Sequence, residues 1–304
     1  MLHDKIALVT GATSGIGKAI AIGLAQQGAT VVLVGRDQRK GEAVKAEIAA
    51  VTGNTALDLL LADLSSQQAI RHLAQEFQQR HAQLQILVNN AGAQLRQRQL
   101  SVDGIEMNLA INHLASFLLT NLLLDTLRSS APARIINVAS NSMTRSINLH
   151  DLQSEQAFKP FTAYGQAKLA MVLCTYALAR RLAETNVTVN ALHPGVTATN
   201  IVDDATPRIL RPFTGIIKRF LLTPEQAAQT AVYLASSPEL DGVTGQYFVK
   251  GKPKPSVPIS YDHALQERVW AESAALVNLV ASSPSELALR AAGNIEGGRH
   301  HERP

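Results

Sequence analysis

The sequence predicts an α/β protein built as a three-layer α/β/α sandwich, a doubly wound parallel sheet in a single domain. Three observations predict it. Six short apolar runs alternate with helix-length segments along the chain, the order that builds parallel strands joined by covering helices. The runs are nearly continuous in Val, Ile and Leu, as central strands buried on both faces require. The composition, 46% hydrophobic and 17% charged over 304 residues, suits a globular chain with a full core.

In chain order, KIALVT (5–10) reads as the first strand and runs into the turn TGATSGIG (10–17), where an amphipathic helix begins near Gly15. TVVLVG (30–35) is the second strand, with a helix from about Gln38. TALDLLLAD (55–63) is the third, with a helix from about Ser66. LQILVNN (84–90) is the fourth, with a helix from about Val102. ARIINVAS (133–140) and NVTVNALH (186–193) complete the set, followed by helices near Thr162 and Pro224. The Pro- and Lys-rich loop KGKPKPSVP (250–258) precedes a helix over about Tyr261–Leu279, whose Leu265, Val269, Trp270, Leu276 and Val277 form one apolar face and dock it on the domain. The folded domain is expected over 1–280, and the Gly-, Arg- and His-rich stretch 281–304 reads as a poorly ordered tail.

Composition narrows the function. A single cysteine, Cys174, excludes an intrachain disulfide, suits a reducing compartment and offers no cluster for a metal; its apolar helix favours inert packing. MLHDKIALVTG enters a strand directly and no apolar run is long enough to span a bilayer, so a cytoplasmic location is expected. The net charge is +4, yet aromatics are only 4% and the basic residues are dispersed. That argues against nucleic acid as a partner.

Two features carry chemistry. Gly11, Gly15 and Gly17, between the first strand and its helix, let the backbone turn sharply, and the free N–H groups of a helix start favour an anion such as a dinucleotide's pyrophosphate. The spacing is G-x-x-x-G-x-G rather than the generic G-x-G-x-x-G, and a helix-entry turn without ligand is the alternative. In TAYGQAKLAMVLC (162–174), Tyr164 and Lys168 stand one turn apart on one helix face. The run LAMVLC behind them is apolar nearly all round, which marks a buried helix. Either the lysine snorkels to water, or it is held beside the phenol and favours tyrosinate, drawing the phenol down from about 10.

TGxxxGxG after the first strand, Asn89-Asn90-Ala91-Gly92 after the fourth, Ser140 after the fifth and Y-x-x-x-K on the next helix occur together and in that order. In this the chain resembles the short-chain dehydrogenase/reductase family over roughly residues 3–250, and RDQRKGE, the stretch from DGIEMNLAINHLASF to IINVAS, HPGVTATN and GQYFVKGK look most like its retinol dehydrogenase-like branch. The resemblance implies a Rossmann-type fold and hydride transfer between a nicotinamide cofactor and an alcohol or carbonyl. Tyr164 would be the acid/base, Lys168 its partner and the ligand of the nicotinamide ribose, Ser140 the hydrogen-bond partner of the substrate oxygen, and Asn112 the holder of a relay water. Ser142 is the nearby competitor of Ser140; the family pattern places the serine directly after the strand. Ser140 also reads as a turn residue, and Asn112 as an internally bonded helix polar group.

For the cofactor, the resemblance implies contacts from Gly11, Thr13, Ser14, Gly15, Ile16 and Gly17, from Asp63 and Leu64, from Asn90, Ala91 and Gly92, and from Pro194, Gly195, Val196 and Thr199. Asp63 also reads as a helix cap, with Ser65 sharing the role. At the end of the second strand, where an acid would accept the ribose 2′-OH, stand Gly35-Arg36. A guanidinium suits a 2′-phosphate, so NADP is expected over NAD, with Asp37 as the residue that would favour NAD. His193 is expected to be structural, because the tyrosine, lysine and serine already supply the acid–base chemistry.

The substrate is expected to be a bulky apolar carbonyl or alcohol. The segment 205–222, ATPRILRPFTGIIKRFLL, reads as an apolar lid, as an amphipathic patch on a membrane surface, or as an ordinary surface helix. Asn141-Ser142-Met143 lack the histidine that retinol dehydrogenase-like sequences often carry there, which leaves the retinoid itself open. The resemblance also implies a homo-oligomer formed through helices around Tyr164. The alternative to an enzyme is a catalytically silent dinucleotide-binding sensor or scaffold of the same fold.

Overall fold

In a computed structural model of the chain, residues 1–196 and 222–279 are described. Six strands form where the apolar runs stand: β1 Ile6–Thr10, β2 Thr30–Gly35, β3 Leu57–Leu61, β4 Ile86–Asn89, β5 Ala133–Val138 and β6 Val187–His193. Two short strands, β7 Tyr247–Val249 and β8 Lys252–Pro253, extend the sheet beyond what periodicity predicts. Runs of three and two residues carry no readable pattern. The order is β3-β2-β1-β4-β5-β6-β7-β8, parallel throughout except for the antiparallel β7–β8 pair. Strand order reverses between β1 and β4, so the carboxyl ends at Thr10 and Asn89 open a crevice where such sheets bind ligands.

Helices cover both faces. On one lie α1 Gly15–Gln26, α2 Gln38–Thr52 and the later helix Pro224–Ser236, whose Ile20, Leu24, Val44, Ile48, Ala231 and Leu234 pack on the sheet. On the other lie α3 Gln67–Arg80, α4 Met107–Leu109, α5 Ala115–Leu122, α6 Leu124–Ser129 and α7 Pro160–Arg181, with Phe77, Leu118 and Leu173 in their core. Pro224–Ser236 is α8, entered through a capping box between Thr223 and Gln226, and the last helix, α9, spans His263–Leu276.

The helix expected near Val102 begins instead at Met107. Ser101–Gly104 form a turn with Gly104 at φ 74°, and Val102 is 83% exposed. The helix starts where the Glu106 carboxylate accepts the N–H groups of Asn108 and Leu109. The expected docking of the last helix is found: Leu265, Val269 and Val277 are buried, and Trp270 meets Phe117 edge-on at 4.8 Å. In docking, α9 covers part of the apolar face of α7 that the sequence offers for self-association. The tail 281–304, Thr199 and all of the 205–222 segment except Leu222 lie outside the described residues.

Candidate active site

The turn between β1 and α1 is closed around its glycines. Gly11 and Gly15 take φ of 65° and 53°, a region that side-chained residues avoid. A Cβ on Gly17 would overlap the Gly11 carbonyl and the Asn90 amide. The Ser14 hydroxyl at the N-cap of α1 makes no capping bond, and the first turn holds no acidic residue. Free N–H groups, no competing carboxylate and a backbone bare of Cβ atoms fit a pyrophosphate there. Ile16 is partly buried against the core that lies under its own helical layer.

The end of β4 is tied to this turn by Thr10. Its hydroxyl accepts the N–H of Asn90 at 2.9 Å and of Ala91 at 3.1 Å, while the Asn90 side chain donates to the Thr10 carbonyl at 2.9 Å. Gly92 follows, its missing Cβ 2.8 Å from Asn112 Oδ1 and 3.5 Å from Lys168 Nζ. Asn112 reaches in from a π-helical turn, Ala110–Leu114, between α4 and α5. Its side chain brackets Ala93, accepting the N–H at 3.1 Å and donating to the carbonyl at 2.6 Å, and donates also to the Asn108 carbonyl at 2.9 Å. Asn112 is therefore an internally bonded group, and it fixes the loop that borders Lys168.

Ser140, buried, follows β5 by two residues, and its hydroxyl accepts the Ser142 N–H at 3.1 Å. Ser142 itself is exposed. From α7, Tyr164 faces Ser140, and Lys168 lies one turn further in with Nζ 5.9 Å from the Tyr164 ring centre. Lys168 does not snorkel: it is 3% exposed and donates to the Val138 carbonyl at 2.8 Å. Burial pulls its ammonium down to about 7. The lowered phenol expected for Tyr164 is reversed, because burial raises it and the hydrogen bond with Ser140 only partly offsets that. The Lys168 hydrogen bond goes to a backbone carbonyl rather than to the phenol.

The loop after β6 completes the rim. His193 accepts the Asn141 N–H on Nδ1 at 3.3 Å and burial lowers its pKa, a structural use of the ring. Pro194 leads into Gly195 at φ 94°, where a Cβ would overlap Leu222. The Leu222 N–H donates to the Val196 carbonyl at 3.0 Å, so the chain returns where it left.

At the far end of the crevice Thr13 lies over Gly35, leaving no room for a Cβ. Arg36 is exposed, whereas Asp37 is committed to capping α2, its carboxylate accepting the Lys40 N–H at 2.8 Å. Asp63, exposed, takes the Ser65 N–H at 2.9 Å and hydroxyl at 2.8 Å, and Ser66 rather than Ser65 caps α3. Leu64 is buried beside it.

Three supporting residues escape motif reading. Glu106, 1% exposed, receives Asn108, whose Oδ1 accepts the Leu95 N–H and whose backbone carbonyl holds Asn112. Gly165 lets the loop after Ser140 lie on α7, with a Cβ there only 2.7 Å from the Ser142 carbonyl. The sequence signal existed for Gly165, because a glycine inside a helix costs about 1 kcal/mol against alanine and calls for a packing reason.

Residues 5–209 match the short chain dehydrogenase family. The chain is 39% identical to retinol dehydrogenase 14 of Homo sapiens over 296 residues, 92% of this chain and 88% of that one. It is 36% identical to polyprenol dehydrogenase of Homo sapiens over 286 residues, 91% and 86% of the two chains. Among solved structures, the active-site complex of Pseudomonas aeruginosa RhlG with NADP superposes at a TM-score of 0.66, with 31% identity over 82% of this chain and 96% of that one. With the strand order, the glycine turn and the Ser140, Tyr164 and Lys168 cluster in place, the chain belongs to the short-chain dehydrogenase/reductase family, in its retinol dehydrogenase-like branch.

Proposed function

We propose that the protein interconverts a bulky apolar alcohol and its carbonyl with NADP(H), using Tyr164 as acid and base. The observation that carries this reading is the convergence of Ser140, Tyr164 and Lys168 beside Gly92, at the crevice the glycine turn opens. A nicotinamide cofactor bound there supplies the hydride chemistry. In reduction the Tyr164 hydroxyl gives its proton to the substrate oxygen, and in oxidation the tyrosinate takes it back. Ser140 holds that oxygen by a hydrogen bond. Lys168, held by Val138, presents its remaining donors to the ribose, and its charge offsets part of the cost of burying a tyrosinate. Gly11 through Gly17 and Asn90 through Gly92 would hold the dinucleotide, with Asp63 and Leu64 at the adenine and Pro194, Gly195, Val196 and Thr199 at the carboxamide.

The NADP preference is supported by the division of labour at β2: Asp37 is occupied as a cap while Arg36 is free to meet a 2′-phosphate. Relatives named for retinol and polyprenol support an apolar, extended substrate. Exposed apolar side chains agree, Phe161, three residues before Tyr164 on α7, being 70% and Val196 55% exposed. A silent sensor would have no use for an acid–base tyrosine braced by a serine and a buried lysine. The test is NADPH consumption over a panel of aldehydes and ketones of rising chain length. Turnover that rises with apolar length supports the reading; turnover confined to short polar carbonyls, or absent across the panel, counts against it.

A further inference from the structure

The π-helical turn that carries Asn112 also carries His113, and the two side chains serve different partners. Asn112 brackets Ala93 beside Lys168. His113, 1% exposed, reaches the opposite way, to Ser273 on α9, with Nε2 2.7 Å from the hydroxyl. The Ser273 hydroxyl donates to the Val269 carbonyl at 2.7 Å, so it accepts from His113 and fixes the proton on Nε2. His113 Nδ1 is buried with no partner. The short bond to Ser273 therefore sets the ring, with the Cys174 thiol 3.9 Å from the same nitrogen.

A π turn is rare and occurs mostly as a single-turn bulge inside an α-helix, frequently at a functional site. Here the Ala115 N–H steps back five residues to Ala110, and the Ser116 hydroxyl donates to the His113 carbonyl at 2.8 Å. The platform on the other side is firmly placed. Gln67 and Arg71 donate to the carbonyls of Leu276 and Val277 at 2.8 and 2.7 Å. Arg180 and Arg181 pair with Glu267, and Arg181 lies over Trp270 at 4.1 Å. Among the described residues, His113 to Ser273 is the one hydrogen bond between α9 and the π turn.

We propose that His113 and Ser273 are positioning residues, through which the docked C-terminal helix holds the turn that places Asn112 and the Gly92–Ala93 loop against Lys168. This rests on the catalytic reading given above. The helix α9 touches none of the reacting groups, yet it would set their geometry. Displacements of an ångström at such groups cost up to about a hundredfold in rate.

The experiment compares full-length His113→Leu, Ser273→Ala and His113→Gln with Gln67→Ala, a variant that weakens α9 docking without touching the turn. Expected is a loss of kcat of about tenfold or more in His113→Leu and Ser273→Ala, with NADPH affinity falling by less than kcat. His113→Gln, which keeps a donor at the ε position, should recover most of it. The double variant His113→Leu with Ser273→Ala should be no worse than either alone, as for residues acting as a unit. Gln67→Ala should lose stability but keep kcat. Wild-type kcat in Ser273→Ala, or an equal loss in Gln67→Ala, overturns the proposal. Amide hydrogen exchange over residues 110–115 reads the same link without turnover: faster exchange in Ser273→Ala supports it and unchanged exchange overturns it. That arm stands even if the protein reduces nothing in the panel, or if His113→Leu does not fold.

Discussion

The Lys168 ammonium donates a 2.8 Å hydrogen bond to the carbonyl oxygen of Val138, the last residue of β5. A buried charge is thereby anchored at the strand end from which Ser140 follows. Its pKa is pulled to about 7 from 10.5, so between those values the folded protein favours neutral lysine while the unfolded chain stays protonated. This costs stability at low pH, and the cost is relieved as pH rises from about 7 toward 10.5.

Binding an anionic cofactor beside Lys168 should restore the ammonium. NADPH binding at pH 8 is expected to take up a large fraction of a proton, and Lys168→Met should take up much less. Titration calorimetry in buffers of different ionisation enthalpy measures this. Identical proton uptake in wild type and variant would show that the lysine is not the linked group.

Arg36→Ala should erode the preference for NADPH over NADH by roughly 1.5–3 kcal/mol, the value of a charge-assisted hydrogen bond, or about ten- to a hundredfold in the kcat/KM ratio. Asp37→Asn, which retains a capping oxygen, should leave the ratio near wild type. Equal use of both cofactors by the wild type contradicts the assignment.

Gly165→Ala tests the loop over α7. The added methyl would stand 2.7 Å from the Ser142 carbonyl and 3.0 Å from Thr144 Cγ2, so the loop must lift and carry Ser140 with it. Activity should fall by about tenfold or more, although alanine is the better helix former. A variant that is both more stable and fully active would mean the loop yields freely.

His113 supplies a pH dependence of stability with a definite sign. Burial, aided by the nearby Lys168 charge, lowers it to about 3. Below about 6.5 the unfolded chain binds a proton that the folded chain refuses, so stability falls as pH drops from about 6.5 toward 3. Urea unfolding at pH 7 and pH 4.5 should show a smaller acid loss in His113→Gln than in wild type. Equal losses would rule the ring out as a source of acid sensitivity.

The sheet was legible because its central strands are buried on both faces, and the apolar runs follow directly from that burial. So were Ser140, Tyr164 and Lys168, whose spacing survives in the linear chain. The start of α4 was not, since Val102 continues an apolar impression while Gly104 and the Glu106 carboxylate decide the boundary. Lys168's acceptor was equally hidden, because a backbone carbonyl carries no residue signature, and so was the depth of burial that raises the Tyr164 phenol. Glu106, Ser273 and the π turn act through contacts distant in sequence or through backbone geometry, neither of which a motif records.

The most direct measurement is turnover and NADPH binding by Tyr164→Phe beside wild type. NADPH affinity is expected close to wild type, because only a hydroxyl is removed, with turnover reduced by about a hundredfold to ten-thousandfold. Turnover within a few-fold of wild type at any pH, with the cofactor still bound, would contradict the role of Tyr164 as acid and base.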